Sequence, residues 1–146
     1  MPQDDRPATP AAPVPLRVLL IEDCAADAEL LIAEMRGGGY EPSCTRVASG
    51  PALAMALEHY QWDVITCDWV MPQFSGPAAL QMIQEHRLDV PVIIVSGQVD
   101  EEVPVSAKKA GACDYVSKNR LTRLCAVLQR ELRLRSQNST GGRVDR

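Results

Sequence analysis

Short apolar segments that stop at polar residues constrain the fold of this chain more than any other feature of its sequence. Each segment is shorter than a typical helix, and a continuous apolar run of this kind is characteristic of a strand covered on both faces. Stretches with apolar residues at helical spacing separate the segments, and such alternation predicts parallel β-α-β units with right-handed crossovers. The clearest segments, each with the polar residues after it, are 18–21 before Glu22 and Asp23, 62–67 before Asp68, 92–95 before Ser96, and 115–116 shortly before Lys118.

This alternation predicts an α/β fold with a doubly wound, five-stranded parallel sheet flanked by five helices. Some boundaries are clear, because Gly37, Gly38 and Gly39 stop the first helix. A proline in the first turn likewise favours the start of a helix at Pro51. We predict strands at residues 16–21, 43–47, 62–67, 90–95 and 115–116, and helices at 26–36, 51–59, 77–86, 101–110 and 121–134.

The two ends of the chain differ in composition from its middle. Residues 1–15 contain five prolines and show no apolar periodicity, which predicts a disordered leader. Residues 136–146 are rich in small and polar side chains, so we expect a flexible tail or the beginning of a linker. Residues 16–135 form the remaining unit, which is long enough to bury the core of a single domain.

Composition argues against several other classes of protein. The net charge of −4 disfavours non-specific binding to nucleic acid, so we expect no direct nucleic-acid partner. No apolar stretch approaches the ~20 residues that cross a bilayer, and the N-terminus lacks a signal pattern. We therefore expect no membrane association and a cytoplasmic location. The five cysteines contain no CxxC pair and mostly adjoin apolar segments, which favours core packing over the alternative of metal or redox chemistry.

The polar residues at the strand ends suit one kind of chemistry. In a parallel α/β sheet the C-terminal ends of the strands line one edge, and ligands bind at that edge. Asp23 and Asp68 offer direct ligands for Mg²⁺, with a backbone carbonyl just past Asp68 as a third ligand and Glu22 acting through water. Lys118 offers a positive charge, and Ser96 a hydrogen bond, to phosphoryl oxygens. The pattern predicts metal-assisted transfer of a phosphoryl group to a carboxylate.

Each of these residues, taken singly, also has a structural explanation. Acidic residues favour helix N-termini, so Glu22 and Asp23 are also suited to capping the first helix. Asp68 is equally suited to a turn that precedes a loop with proline. Joint placement at successive strand ends favours the functional interpretation. The other structural alternatives are a helix N-cap for Ser96, a solvated surface position for Lys118 and a core position for Tyr115.

The order and spacing of these motifs resemble the receiver domain of two-component response regulators, from about residue 16 to residue 134. The resemblance implies a flavodoxin-like fold, which agrees with the alternation of strands and helices. Each motif alone is a weak signal, whereas their succession along one chain is specific. The residues that carry the resemblance are 18–23, Asp68, Met71-Pro72, Ser75-Gly76, 91–97, 109–112 and 114–118.

The resemblance also implies a role for each residue of the candidate metal site. It implies that Asp68 accepts the phosphoryl group. It implies that Glu22 and Asp23 form the acidic pair beside Mg²⁺ or Mn²⁺, with Asp23 as the direct ligand. Val70 matches the position whose backbone carbonyl completes that metal site.

Three further residues match the positions that respond to the phosphoryl group. Ser96 matches the hydroxyl that moves toward it, Tyr115 the aromatic switch that follows, and Lys118 the lysine that contacts it. The implied donor is a histidine kinase or a histidine phosphotransfer protein. The implied downstream protein binds the face made by the fourth helix, the fifth strand and the fifth helix. Such a protein catalyses its own phosphorylation and dephosphorylation as a switch and is not a turnover enzyme.

Two other classes of function compete with this interpretation. The first is a receiver-like docking module that works without phosphorylation, although such relatives usually lose one of Asp23, Asp68 and Lys118. The second is an aspartyl-phosphate phosphatase, which would usually have a second acid where this chain has Val70. Five arginines in or beside the last helix leave three possibilities open: a solvated face, a partner or homodimer surface, or a helix that enters another domain.

Three positions depart from the family pattern. Asn119 follows Lys118 where the family commonly has proline after a cis bond, which leaves both isomers open here. Gly97 replaces the frequent alanine after the switch hydroxyl. The phosphoryl lifetime in this family depends on water near the site. We predict that it depends here on Gln98, because the side chain of Val70 forms no hydrogen bond with water.

Overall fold

The computed structural model describes residues 12–97 and 102–143, and these residues alternate between strands and helices. One sheet contains five parallel strands in the order β2-β1-β3-β4-β5. This order confirms the doubly wound α/β fold. The strands are β1 (Val14–Ile21), β2 (Tyr40–Val47), β3 (Val64–Cys67), β4 (Val92–Ser96) and β5 (Asp114–Ser117). The helices are α1 (Ala25–Gly37), α2 (Gly50–His59), α3 (Gly76–Glu85), α4 (Glu102–Lys109) and α5 (Leu124–Arg143), and a 3-10 helix covers Lys118–Arg123.

The sheet divides the hydrophobic core into two layers. Leu19 and Ile21 of β1 lie in the layer that contains residues of α2, α3 and α4. Val18 and Leu20 lie in the opposite layer, with residues of α1 and α5. Successive side chains of a strand point to opposite faces, so both faces of a central strand must be apolar. The continuous apolar runs of the sequence meet this requirement. Because all five strands run in the same direction, their C-terminal ends lie at one edge of the sheet.

Serine and proline determine where two of the helices begin. The Ser49 hydroxyl accepts a hydrogen bond from the Ala52 N–H at 3.2 Å, at the start of α2. The Ser75 hydroxyl accepts one from the Ala78 N–H at 3.2 Å, at the start of α3. Each cap satisfies a helix N–H that lacks an intrahelical partner. A proline in the first turn of each helix loses no backbone hydrogen bond there.

Gly76 keeps the loop after β3 close to the sheet. A Cβ at this position would lie 2.6 Å from Cε3 and 2.8 Å from Cα of Trp69. The Gly76 N–H also donates to the carbonyl of Trp69 at 3.0 Å. No larger residue fits this approach without a shift of the backbone. The glycine therefore fixes the short loop that begins at Asp68.

The N-terminal part of the sheet is longer than the sequence pattern predicts. β1 begins at Val14, inside the predicted leader, and β2 begins at Tyr40 instead of residue 43. Val14 pairs with Tyr40, so backbone pairing extends both strands past their apolar residues. Pro42 fits within β2 because this strand lies at the edge of the sheet. Residues 1–11 of the leader lie outside the described part of the chain.

The last helix differs from the prediction at both ends. It begins at Leu124 instead of residue 121, because Arg120 has a non-helical backbone and residues 118–123 form a 3-10 helix. It continues to Arg143, past the predicted end at residue 134 and into the predicted tail. Whether residues 136–146 serve as a linker stays a prediction. No helix within the described ranges combines the length and apolar character required to span a membrane.

Candidate functional site

Strand pairing brings the predicted site residues to the C-terminal edge of the sheet. Ile21 pairs with Cys67, and Cys67 pairs with Ile94. Glu22 and Asp68 directly follow the paired ends of β1 and β3. The N–H of Asp68 donates to the carbonyl of Ile21 at 2.9 Å, which joins the two strand ends. The two carboxylates therefore start from neighbouring points of the backbone.

The ends of β4 and β5 complete this edge. Ser96 is the last residue of β4, is fully buried, and pairs with Ser117 immediately before Lys118. Tyr115 lies earlier in β5 and is half-buried against the core layer of α2, α3 and α4. A Cβ at Gly97 would lie 3.8 Å from Cδ of Lys118. The Lys118 side chain thus passes beside the end of β4 toward the acidic residues.

Three carboxylates form a compact cluster at this edge. One oxygen from each of Glu22, Asp23 and Asp68 lies within 4.8 Å of the other two. Glu22 is 2% exposed and Asp68 is 7% exposed, whereas Asp23 lies at the surface. Mg²⁺ prefers oxygen ligands and retains several waters, so one or two carboxylates with an open side are sufficient to bind it. The donor set and its single exposed member fit such a cation.

Lys118 is the cation that the cluster already contains. Its Nζ lies 2.6 Å from Oδ2 of Asp27, 2.8 Å from Oε1 of Glu22 and 3.1 Å from Oδ2 of Asp68. The side chain is only 16% exposed, which rules out a solvated surface lysine. Burial alone would lower the pKa of Lys118, but hydrogen bonds to the three carboxylates outweigh it and raise that pKa. Lys118 is therefore charged at neutral pH.

The Glu22 carboxylate is held from two sides. Lys118 contacts Oε1, and the N–H of Cys24 donates to Oε2 at 3.1 Å. Burial raises the pKa of Glu22 above its usual range, and the hydrogen bonds from Lys118 and Cys24 oppose that rise. Cys24 is the N-cap residue of α1, and its own side chain forms no cap hydrogen bond there. Glu22 thus contacts Lys118 in the cluster with one oxygen and the backbone at the start of α1 with the other.

Both oxygens of Asp68 have partners. Oδ2 contacts Lys118, and Oδ1 accepts a hydrogen bond from the Val70 N–H at 3.3 Å. The second contact is a turn of the kind that aspartate commonly forms. The turn expected for Asp68 is confirmed, and it is compatible with the functional interpretation, because it orients the carboxylate. Val70 itself is 52% exposed, and its backbone lies directly beside the cluster.

Two residues near the site carry no obvious signal in the sequence. Asp27 lies in the first turn of α1 and reaches Lys118. The Arg46 side chain donates to the carbonyls of Glu22 at 3.2 Å and Asp23 at 3.4 Å. The first contact depends on how the end of β5 lies beside the start of α1, which the sequence does not indicate. The second depends on the pairing of β2 with β1 and needs the structure.

A small cavity opens next to the exposed member of the cluster. It has a volume of about 250 Å³ and is lined by Asp23, Ala48, Met71, Pro72 and Gln73. These residues belong to the loops after β1, β2 and β3. The cavity gives a small ion or group access to Asp23 from solvent.

The cysteines supply no further ligand to the cluster. Cys67 is buried, and its thiol donates to the carbonyl of Asp68 at 3.3 Å. Burial raises the pKa of Cys67, and the negative charges of Asp68 and Glu22 raise it further. The thiol is therefore neutral. Cys24 is exposed, so the expected core position does not apply to it.

The structure describes one of the two positions, Asn119 and Gln98, at which we expected this chain to differ from the family pattern or to affect the phosphoryl lifetime. The described residues contain no cis peptide bond, so the bond between Lys118 and Asn119 is trans. The Ser117 hydroxyl accepts a hydrogen bond from the Asn119 N–H at 3.1 Å, at the start of the 3-10 helix. Gln98 lies outside the described residues, so its role in the phosphoryl lifetime stays a prediction.

Known proteins with similar sequences include regulatory proteins and transcriptional regulators. The chain is 30% identical over 121 residues to the regulatory protein AtoC of Escherichia coli, covering 82% of this chain and 26% of AtoC. It is 29% identical to the cell cycle transcriptional regulator CtrA of Caulobacter vibrioides, covering 79% of this chain and 51% of CtrA. The chain thus spans between a quarter and a half of the length of these relatives.

Solved structures give the same result. The signal receiver domain of a histidine kinase from Syntrophus aciditrophicus is 26% identical, with a TM-score of 0.66 over 80% of this chain and 89% of that one. The receiver domain of Francisella response regulator 1452, at 24% identity, shares the fold with a TM-score of 0.69 over 81% of this chain and 97% of that one. The family model of the response regulator receiver domain matches residues 18–129. This chain belongs to the response regulator receiver domain family.

Proposed function

We propose that this receiver is a phosphorylation-activated signalling switch in which Asp68 accepts a phosphoryl group from a phosphohistidine. The donor is a histidine kinase or a histidine phosphotransfer protein. One observation carries the proposal: Asp68 lies 3.1 Å from the Lys118 ammonium and within 4.8 Å of two other carboxylates. A buried carboxylate with a cation on one side and further oxygen ligands on the other is suited to attack an anionic phosphorus centre.

Mg²⁺, or Mn²⁺, is the cofactor of this proposal. Asp23 and Asp68 would bind it directly, and the backbone carbonyl of Val70 would supply a further oxygen. Glu22 would act through water, since its own oxygens already contact Lys118 and Cys24. The ion, when bound, neutralises charge on the phosphoryl oxygens as they approach the carboxylates. Four carboxylates and one ammonium meet at this edge, so an added cation also reduces their mutual repulsion.

The residues of the chain divide the chemistry between them. A carboxylate oxygen of Asp68 forms a bond to phosphorus while the bond from phosphorus to the donor imidazole breaks and its electron pair returns to nitrogen. Lys118 balances negative charge on one phosphoryl oxygen, and the Ser96 hydroxyl donates a hydrogen bond to another. Attack of water on phosphorus later releases inorganic phosphate and restores Asp68. In this proposal the phosphorylated form of the protein, and not the released phosphate, carries the signal, so the protein functions as a switch and not as a turnover enzyme.

The output of the switch would be a changed protein surface. When Ser96 moves toward the phosphoryl group, it vacates space into which the Tyr115 side chain moves. The equilibrium between the resting and the activated conformation then shifts toward the activated one. Tyr115 belongs to β5, so the affected surface is formed by α4, β5 and α5. The proposed partner there is a downstream protein or a second copy of this chain, in the cytoplasm, without direct contact with nucleic acid or membrane.

Phosphoryl incorporation tests the proposal directly. The protein is incubated with Mg²⁺ and acetyl phosphate, and an aspartyl phosphate is detected by intact mass and by its sensitivity to hydroxylamine. We expect incorporation that requires Mg²⁺ and is absent from Asp68→Asn. A phosphohistidine donor is the second substrate. Lack of incorporation from both donors would contradict the proposal and favour a docking module that works without phosphorylation.

A further inference from the structure

The three contacts of Lys118 use all the donors of its ammonium group. An ammonium carries three N–H donors. Its partners are Asp27 at 2.6 Å, Glu22 at 2.8 Å and Asp68 at 3.1 Å. A phosphoryl oxygen that is to bind Lys118 must therefore take the place of one carboxylate. The cost of displacing that carboxylate determines how readily Lys118 binds the phosphoryl group.

The three carboxylates differ in how easily they release Lys118. Glu22 is 2% exposed, and its second oxygen is held by the N–H of Cys24, so an unpaired Glu22 would be a buried charge. Asp68 is the residue that would carry the phosphoryl group. Asp27 is different, since 34% of its side chain is exposed and water can solvate it after release. Asp27 is thus the partner that leaves at the lowest cost.

We propose that Asp27 is a positioning residue that competes with the phosphoryl group for Lys118. The inference rests on the proposed function of Asp68. In the resting protein Asp27 holds Lys118 by the shortest of its three ion pairs. In this proposal phosphorylation breaks the pair of Asp27 and Lys118, which slows the transfer and weakens the contact between Lys118 and the bound phosphoryl group. The acid at this position therefore sets how fast the switch turns on and how long it stays on.

The chain offers a matched control for the charge of Asp27. Glu29 lies on the same helix, carries the same charge and is exposed. Glu29→Gln removes one negative charge from α1 without touching Lys118. Asp27→Asn removes the same charge together with the ion pair, and Asp27→Glu retains the carboxylate. Any effect that Asp27→Asn and Glu29→Gln share is a general effect of charge.

The first experiment examines Lys118 without metal or phosphodonor. The chain has only three lysines, Lys108, Lys109 and Lys118, so NMR of protein labelled in lysine resolves the side chain of interest. We expect the Lys118 ammonium protons to exchange with water faster in Asp27→Asn, and to keep the wild-type rate in Glu29→Gln. Lys108 and Lys109 serve as internal references. An unchanged Lys118 signal in Asp27→Asn would overturn the inference.

The second experiment measures phosphorylation by acetyl phosphate and the decay of the product, at Mg²⁺ concentrations that saturate each variant. A partly exposed ion pair corresponds to a factor of about two to five in an equilibrium or rate. We therefore expect Asp27→Asn to be phosphorylated about two- to fivefold faster than Glu29→Gln and to dephosphorylate more slowly, and Asp27→Glu to resemble the wild type.

The outcomes separate this inference from the function on which it rests. A wild-type protein that takes up no phosphoryl group overturns the proposed function, and with it the proposed competition between Asp27 and the phosphoryl group. A wild-type protein that is phosphorylated, with Asp27→Asn equal to or slower than Glu29→Gln, overturns only the role of Asp27. Slower phosphorylation of Asp27→Asn would mean that Asp27 aligns Lys118 for the reaction and does not compete for it.

Discussion

Two clusters of charged residues lie at opposite ends of the sheet, and they differ in their balance of charge. At the C-terminal edge, Lys118 is shared by the carboxylates of Glu22, Asp27 and Asp68. At the other end, Asp114 begins β5 and its carboxylate lies 2.6 Å from the guanidinium of Arg130 on α5. This second cluster joins a strand to a helix.

The second cluster is nearly neutral, whereas the first is strongly acidic. Arg130 contacts Asp114 and Glu131, and Arg135 contacts Glu131 at 3.4 Å. Two buried carboxylates thus face two guanidiniums, and the exposed carboxylate of Asp89 lies 3.7 Å from the second of them, Arg135. Neither Asp114 nor Glu131 is more than 9% exposed, so both need these partners. Ion pairing brings the second cluster close to charge balance and leaves the first with an excess of negative charge. An excess of this kind is suited to a bound cation, whereas the balanced cluster already supplies the partners of its buried carboxylates.

Removal of Lys118 should have the largest effect on stability. Lys118→Ala leaves the buried Glu22 carboxylate without its cation, so we expect a loss of about 3 kcal/mol in the free energy of unfolding. Urea denaturation measures this loss. Lys109→Ala is the control, since Lys109 is exposed, and it should change stability by less than about 0.5 kcal/mol. Equal effects of the two variants would show that Lys118 does not stabilise the cluster.

Removal of a carboxylate should have opposite consequences at the two ends of the sheet. Glu131→Gln breaks charge-assisted hydrogen bonds in the balanced cluster, and we expect a loss of about 1.5 kcal/mol. Asp68→Asn relieves repulsion in the acidic cluster, and we expect unchanged or slightly higher stability. Thermal unfolding of both variants measures the contrast. Equal destabilisation by both variants would contradict the difference in charge balance.

The sequence predicted the acidic cluster better than the balanced one, for a physical reason. Asp68 and Lys118 each follow a buried apolar strand, and parallel strands bring their ends together, so local pattern was sufficient to expect their proximity. The ion pair between Asp114 and Arg130 joins a strand to a helix and depends on how α5 packs on the sheet. The same holds for Arg46, whose contact with the loop after β1 requires the register of β2.

Strand and helix boundaries failed where tertiary contacts override the local pattern. β2 starts at Tyr40 because β1 supplies a partner there, although Glu41 and Pro42 interrupt the apolar run. The 3-10 helix at residues 118–123 was missed because Leu121 continues the apolar spacing of α5, and only the backbone angles of Arg120 reveal the break. The burial of Glu22 was missed for a similar reason, since adjacent acidic residues in a sequence usually indicate solvent.

Burial of Glu22 leads to the smallest predicted effect, a dependence of stability on pH. The pKa of Glu22 is raised in the folded protein, so the folded state binds this proton more tightly than the unfolded state does. Between the ordinary glutamate pKa and the raised one, stability therefore falls as pH increases.

We expect Glu22→Gln, which cannot titrate, to lack this decline. The difference in stability between wild type and variant should therefore change with pH just above the ordinary glutamate range. Urea denaturation at a series of pH values measures the difference, with Glu29→Gln as the control for an exposed acid. A difference that stays constant across that range would show that the acidic cluster keeps Glu22 charged as readily as water does. The charge of the acidic cluster would then be as well balanced as the charge of the cluster at the other end of the sheet.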